Sequence, residues 1–244
     1  MSEMLGISHH RSIFAPPEQR VWFCGDIHGQ LQVLKHSLCV TGVDLDKDLL
    51  ILTGDVIDRG PDSVGMLEFI AANENVHSVL GNHEWMYLKC LETPALGEEY
   101  CKPVYGGEWT QSLPDTDRQR LGRIIREHFT LAATVRRGEQ RIGVIHARAP
   151  EDWAWVTQGL LSDKEWSTML WDFSLHAASK AAQRPIQAVR NIQAVIHGHV
   201  GDQLHVARNQ IWIDTLRCTG ELTLLELTNA IALAAVSDGN NQKI

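Results

Sequence analysis

Short apolar runs, each closed by small or polar residues, recur along the chain: VWFCGD, LLILTGD, VHSVLGNHE, RIGVIHA, AVIHGH, IWIDT and LTLLEL. Their length and their Val, Ile and Trp content predict strands. Two stretches with helical spacing lie between the first three. Leu31, Leu34 and Leu38 place one helix over 30–43, stopping near Gly42; Val64, Leu67 and Ile70 place another over 61–75, with Pro61 at its first position. Strand, helix, strand, helix, strand is the order of βαβ units, so an α/β chain is predicted. From 85 to 135 the pattern turns helical and polar, with Thr116 or Asp117 as N-cap before Leu121, Ile124, Ile125 and His128. Residues 162–191 read as irregular and helical, and the closing SDGNNQKI as a frayed tail. The simplest partition is one domain over 1–244 carrying a mostly helical insertion at about 85–135.

Composition narrows the class. The 244 residues are 44% hydrophobic and 21% charged, enough to bury a large core. The N-terminal twenty residues hold no apolar run of signal-peptide length, and no span long enough for a bilayer occurs, which predicts a cytoplasmic protein without a membrane partner. Five scattered cysteines without a CxxC pair suggest neither a disulfide framework nor a structural zinc site. A formal charge of −8 argues against nonspecific nucleic-acid binding. It leaves a small anionic substrate open, since bound divalent cations reverse the local sign of a site.

Candidate chemistry then collects at the strand ends. The first predicted strand ends in Asp26 and His28, the second in Asp55, Asp58 and Arg59, and the third in Asn82, His83 and Glu84; later ones end in His146 and in the pair His197 and His199. In open α/β sheets ligands gather at the carboxyl ends of strands, so these residues would converge on one rim. A single D-x-H triplet is ordinarily a turn, and Asp58-Arg59 alone is ordinarily a surface ion pair. Five successive strand ends bearing Asp, His or Asn point to a metal site.

GDIHG, GDVIDRG, GNHE, IHA and HGHV together resemble the motif set of PPP-type metallophosphatases. The compact length, GGEW at 106–109 and IDT at 213–215 are most similar to the phage lambda and bacterial serine/threonine protein phosphatase branch. The resemblance spans roughly residues 20 to 230. It implies the calcineurin-like metallophosphoesterase fold, a two-layer β-sandwich flanked by helices, with a dinuclear metal centre. It assigns Asp26 and His28 to the first metal, Asp55 to a bridge, and Asn82, His146 and His199 to the second. His83 becomes the general acid, oriented by Asp58, and Arg59 grips the phosphate. His197 has no ligand counterpart in the family.

These implied roles suit phosphate monoester hydrolysis. Two cations about 3.5 to 4 Å apart clamp phosphoryl oxygens and acidify a bridging water, whose hydroxide attacks phosphorus directly. Two divalent ions carry four positive charges; Asp26 and Asp55 remove two, and Asn82 and neutral histidines remove none, so the cluster stays positive even with the hydroxide. Asn82 coordinates through its amide oxygen and presents its NH2 to phosphate. An imidazolium at His83 protonates the leaving oxygen, Asp58 fixes its tautomer, and Arg59 offers a planar fork. Oxygen and nitrogen ligands without thiolate suit manganese, iron or zinc, and the family usually works with manganese.

The expected function is hydrolysis of phosphoserine and phosphothreonine, with phosphotyrosine a further candidate, in phosphorylated protein or peptide substrates. Two alternatives are symmetrical diadenosine tetraphosphate hydrolysis and a non-catalytic phosphoprotein-binding module. Tetraphosphatase relatives generally carry GNHD where this chain carries GNHE. A binding module would lack a ligand or the general acid, and every such position is filled. The chain departs from the lambda branch at LWDFSLH, where Phe173 stands in the place of a second phosphate-binding arginine; Arg148 and Arg217 are the candidates to replace it. The eight tryptophans, Trp85, Trp153 and Trp155 among them, are ordinarily core or loop aromatics. His9 and His10 read as tail residues, and RRGEQR as a hairpin turn.

Overall fold

The structure, a computed structural model, describes residues 5–181 and 186–240. All seven predicted strands form: β2 (Val21–Cys24), β3 (Leu49–Leu52), β4 (Val76–Val79), β6 (Gln140–Ile145), β7 (Ala194–His197), β9 (Gln210–Trp212) and β10 (Leu224–Glu226). Three more strands do not follow from the pattern: β1 (Ser8–Phe14), β5 (Phe129–Arg137) and β8 (His205–Ala207). Hydrogen bonding links the strands in the order β10-β2-β3-β4-β5-β6-β7-β9-β8, with β1 added on β5.

The path is continuous, but its middle is narrow. β4 meets β5 through only two residue pairs, Ser78 with Phe129 and Val79 with Thr130, whereas β1 runs along β5 from Ser8 to Phe14. The sheet therefore curls at this seam into two layers. Phe23, Ile51 and Leu225 of one layer share a buried cluster with Val144, Ile196 and Ile211 of the other, together with Leu227, Ala230 and Ala234 of the C-terminal helix. Neighbouring positions point the other way: Cys24, Leu50 and Leu52 pack with Leu34, Leu67 and Ile70 of the covering helices. This two-residue alternation, apolar on both faces, is why β3 reads as an unbroken LLIL.

Helix α1 (Leu31–Thr41) buries Leu31, Leu34 and Leu38 and closes on Gly42 at φ 71°. Helix α2 (Ser63–Ala72) starts later than predicted. Asp62 is its N-cap, its side chain accepting from the Gly65 amide at 2.8 Å, and Pro61 lies outside. Helix α3 (Asn82–Glu92) begins within GNHE itself. The helix Asp115–His128 follows Pro114, so neither Thr116 nor Asp117 caps it, and the predicted helical stretch gives way to strand at Phe129. The C-terminal helix runs Leu227–Asn240, so Ser237–Asn240 of the supposed tail are helical, and 241–244 lie outside the described residues. His9 and His10 are likewise strand residues in β1. RRGEQR is the β5–β6 hairpin turn, with Gly138 at φ 58°. No helix among the described residues is long and apolar enough to cross a membrane.

Candidate metal centre

The loops that leave β2, β3, β4, β6 and β7 carry Asp26, Asp55, Asn82, His146 and His199, and the two layers bring these ends to one rim. The turns are sharp. Eight non-glycine residues among those described have positive φ, and five belong to the site: His28 (47°), Asp55 (49°), Asp58 (70°), Arg59 (64°) and His199 (69°). Such backbone strain persists only where surroundings over-determine it, and it concentrates at functional sites. The loops also cross closely. A Cβ at Gly81 would collide with the Asp55 carboxylate, and one at Gly198 with that of Asp26.

Asp55 is the centre. Its Oδ2 lies 3.4 Å from His146 Nε2 and 3.9 Å from both His28 Nε2 and His83 Nε2. Burial opposes its charge, yet His146, His83 and His28 together hold its carboxyl well below the usual range. Two groups of potential ligand atoms share it: His28, Asp55 and His83, and Asp55, His146 and His199, all atoms of each lying within 4.8 Å of one another. Asn82 Oδ1 completes the second group at 2.9 Å from His146 Nε2. Asp26 stands beside both groups rather than within them. Its carboxylate accepts from the His199 amide at 3.0 Å and from the Thr53 hydroxyl at 3.2 Å, and burial, followed by Asp214, pushes its carboxyl up.

The tautomers can be read from the outward nitrogens. Thr53 O accepts from His146 Nδ1 at 2.8 Å, Ile57 O from His28 Nδ1 at 3.0 Å, and Trp171 O from His199 Nε2 at 3.2 Å. Each ring thus turns its other nitrogen inward, the arrangement by which backbone carbonyls orient metal-binding histidines. His146 Nε2 is ringed by the acceptors Asn82 Oδ1, His199 Nδ1 at 3.1 Å and Asp55 Oδ2. Acceptors so placed need positive charge among them. A proton supplies it, His146 being raised to about 10 despite burial, by Asp55 and then Asp26. His28 Nε2 meets a positive group as well, accepting from Arg59 Nη1 at 2.7 Å. Two positions that each gather a cation, with O and N donors only, fit a pair of divalent ions.

His83 is separate in kind. Its Nδ1 donates to Asp58 Oδ2 at 2.7 Å, both side chains being buried, and its Nε2 faces Asp55. Asp58 Oδ1 in turn accepts from Tyr100 OH and Trp109 Nε1, each at 2.6 Å. Neither aromatic stands out in the sequence as a site residue, although Trp109 closes the GGEW signature. Glu84 also escapes a reading by motif. It is fully buried and accepts backbone N–H groups from Gly81, Asp55, Val56 and Ile57 at 2.8–3.2 Å. Its place three residues after Gly81, at the position where a side chain can turn back on the helix start, is the signal the sequence offers. Burial and Asp55 push its carboxyl up to about 7.

The family model for calcineurin-like phosphoesterases matches residues 19–202, the span that carries all of these loops. The chain belongs to that family. Serine/threonine-protein phosphatase 2 of Salmonella typhimurium is 31% identical to this calcineurin-like phosphoesterase over 216 residues, covering 86% of the chain and 93% of the relative. A symmetrical bis(5'-nucleosyl)-tetraphosphatase of Buchnera aphidicola is 47% identical over 64 residues, 26% of the chain and 23% of the relative. Among solved structures, a putative diadenosine tetraphosphatase superposes with TM-score 0.57 at 20% identity, covering 90% of the chain and 95% of its own. A cold-active protein-tyrosine phosphatase of a Shewanella species superposes with TM-score 0.53 at 17% identity, covering 94% and 83%. At such identities these two likenesses concern the fold.

The remaining candidates take other places. His197 is buried and stacked on Trp212 at 4.8 Å, outside both ligand groups. Arg59 lies on His28 and on Val104 O rather than free in the cleft. Arg148 pairs with Asp172 at 3.5 Å, Arg217 is exposed on the short helix Leu216–Thr219, and Phe173 is exposed. Trp153 is a core residue that donates to Thr134 Oγ1 at 2.8 Å, and Trp85 meets Trp171 edge-to-face at 6.0 Å.

Proposed function

We propose that this phosphoesterase is a metal-dependent phosphomonoesterase that releases phosphate from phosphoserine and phosphothreonine in proteins, phosphotyrosine being a further candidate substrate. The observation that carries the reading is the division of labour around Asp55. Inward-facing nitrogens of His28, His146 and His199 surround it, while His83, tied to Asp58 at 2.7 Å through Nδ1, turns its Nε2 towards it.

Asp26 and His28 would hold one divalent ion, Asn82, His146 and His199 the other, and Asp55 both. A bound ion pair, with Mn2+ as the proposed activating ion, supplies positive charge for the phosphoryl oxygens and makes water acidic enough to attack near neutral pH. His28 Nε2 would then no longer be available to Arg59, whose guanidinium turns to the phosphate as a planar donor. His83 Nε2 hands its proton to the leaving oxygen as that oxygen parts from phosphorus and the water oxygen joins it. Asp58 holds the imidazole in the tautomer this needs and stabilises the imidazolium.

The choice of protein substrates rests on similarity over 93% of a protein phosphatase, against 23% of one tetraphosphatase and 46% of another. It does not rest on Glu84, which is fully buried and whose two oxygens are taken up by backbone amides. Hydrolysis of a phosphoserine or phosphothreonine peptide and of diadenosine tetraphosphate, compared with Mn2+ present, tests it. We expect kcat/KM for the peptide to exceed that for the dinucleotide; the reverse order would make the chain a tetraphosphatase. Turnover of neither after metal loading would overturn both.

A further inference from the structure

The GGEW signature is not explained by metal or phosphate, yet it stands against the general acid. Trp109 Nε1 and Tyr100 OH both donate to Asp58 Oδ1 at 2.6 Å, leaving Oδ2 for His83. Both glycines make room for this. A Cβ at Gly106, where φ is 81°, would lie 2.6 Å from Arg59 N, and one at Gly107 would lie 2.6 Å from the Tyr100 ring. The Arg59 amide, next to Asp58 in the chain, donates to Gly106 O at 3.4 Å. Trp109 stacks on Tyr87 at 5.6 Å with 6° between planes, and Tyr87 OH donates to Arg118 O at 2.8 Å. Tyr100 and Trp109 thus converge on one carboxylate oxygen.

We propose that Tyr100 and Trp109 are positioning residues for the general acid. The inference rests on His83 being that acid. An aspartate turns broadly about its terminal bond, so a carboxylate held through one oxygen leaves its partner imidazole free to swing. Two donors on Oδ1, with the Asp58 amide tied to Ser63 Oγ at 2.9 Å, remove that freedom and fix the line along which His83 Nε2 points. The indole can only donate, and burial followed by Asp58 pushes the Tyr100 phenol well above its ordinary range, so neither group competes for the proton in transit.

Aiming a proton matters in proportion to the basicity of the leaving oxygen. The test is therefore turnover of aryl phosphates from phenyl phosphate to 2,4-dinitrophenyl phosphate by the Mn2+-loaded enzyme carrying Tyr100→Phe, Trp109→Phe or both. These substitutions keep aromatic rings packed on Gly107 and Tyr87. We expect kcat on phenyl phosphate to fall about fivefold in each single variant and about thirtyfold in the double, with KM unchanged and the dinitrophenyl ester within about twofold. A loss equal across all esters, or no loss, would overturn the inference, and the single variants decide the matter if the double does not fold. His83→Asn separates the underlying reading: it must itself steepen the dependence on leaving group. If it does and the phenylalanine variants do not, only the positioning role fails; if it does not, the general-acid reading fails first.

Discussion

Asn82 and His83 are adjacent in sequence but face opposite problems. Asn82 Oδ1 is one of three acceptors around His146 Nε2, where an anionic oxygen would fit the same space. Its neutrality is therefore an electrostatic choice: each negative charge added to the ligand set lowers the attraction the centre has left for a phosphate dianion. Asn82→Asp should keep two ions per chain by elemental analysis while raising KM for a phosphopeptide and the inhibition constant of inorganic phosphate, each roughly tenfold, which equals about 1.4 kcal/mol. Unchanged phosphate affinity with full metal content would show that the charge of the centre does not set substrate binding. The pairing of His83 with Asp58 is legible from GDVIDRG and GNHE because family motifs carry it. Tyr100 and Trp109 are not, since they reach Asp58 across 42 and 51 residues and hydrogen bonds of that separation leave no local pattern.

At the scale of elements, what can be read is whatever a period encodes. β2, β3, β4, β6, β7, β9 and β10 are apolar runs bounded by turn residues, and each is legible. β1 is not, because SHHRSIF is polar and lies on the outer side of β5, where nearly all of its residues are exposed or only partly buried. β5 reads as helix because it follows the helix Asp115–His128 without a break, and only its β-branched and aromatic content marks the change. The join between elements is the least visible feature. Glu84 lies in the first turn of α3, and its two oxygens take four amides, three of them from the loop after β3 that carries Asp55 and Asp58. One side chain therefore sets where the β3 loop stands against α3. Glu84→Gln replaces an acceptor oxygen with an amide that meets N–H groups head-on, leaving buried donors without partners. It should cost about 2–4 kcal/mol, and for a chain of this size lower Tm by about 5–10 °C. Thermal unfolding of the metal-free protein checks this, and a Tm within about 2 °C of wild type would refute it.

For the molecule as a whole, the narrow seam between the two layers is where acid should act. His77 on β4 and His10 on β1 both lie beside it, and both are only partly exposed. Burial, followed by His9 and Arg136, lowers His10 to about 4, and its Nε2 meets Thr134 Oγ1 at 2.7 Å. Burial, followed by Arg11 and His128, lowers His77 to about 4. The ordinary value in an unfolded chain is 6.5. Between the two values the unfolded chain binds more protons than the folded one, so stability rises with pH through this window and is lost as pH falls from about 6.5 towards 4. Solvent near the two rings screens the effect and keeps it modest. Tm measured with the metals chelated should therefore fall on acidification from about pH 7.5 to about pH 5. A His10→Gln, His77→Gln variant should lose part of that fall, while the remaining slope belongs to the other histidines that burial lowers, His28 and His197 to about 3 and His199 to about 4. The two substitutions remove protons that the folded and unfolded chains bind unequally, but they leave the strand pairing of β1 with β5 and of β4 with β3 in place. If the variant and the wild type lose Tm in parallel across the whole range, the seam histidines do not govern the acid sensitivity and the buried histidines elsewhere in the molecule carry it.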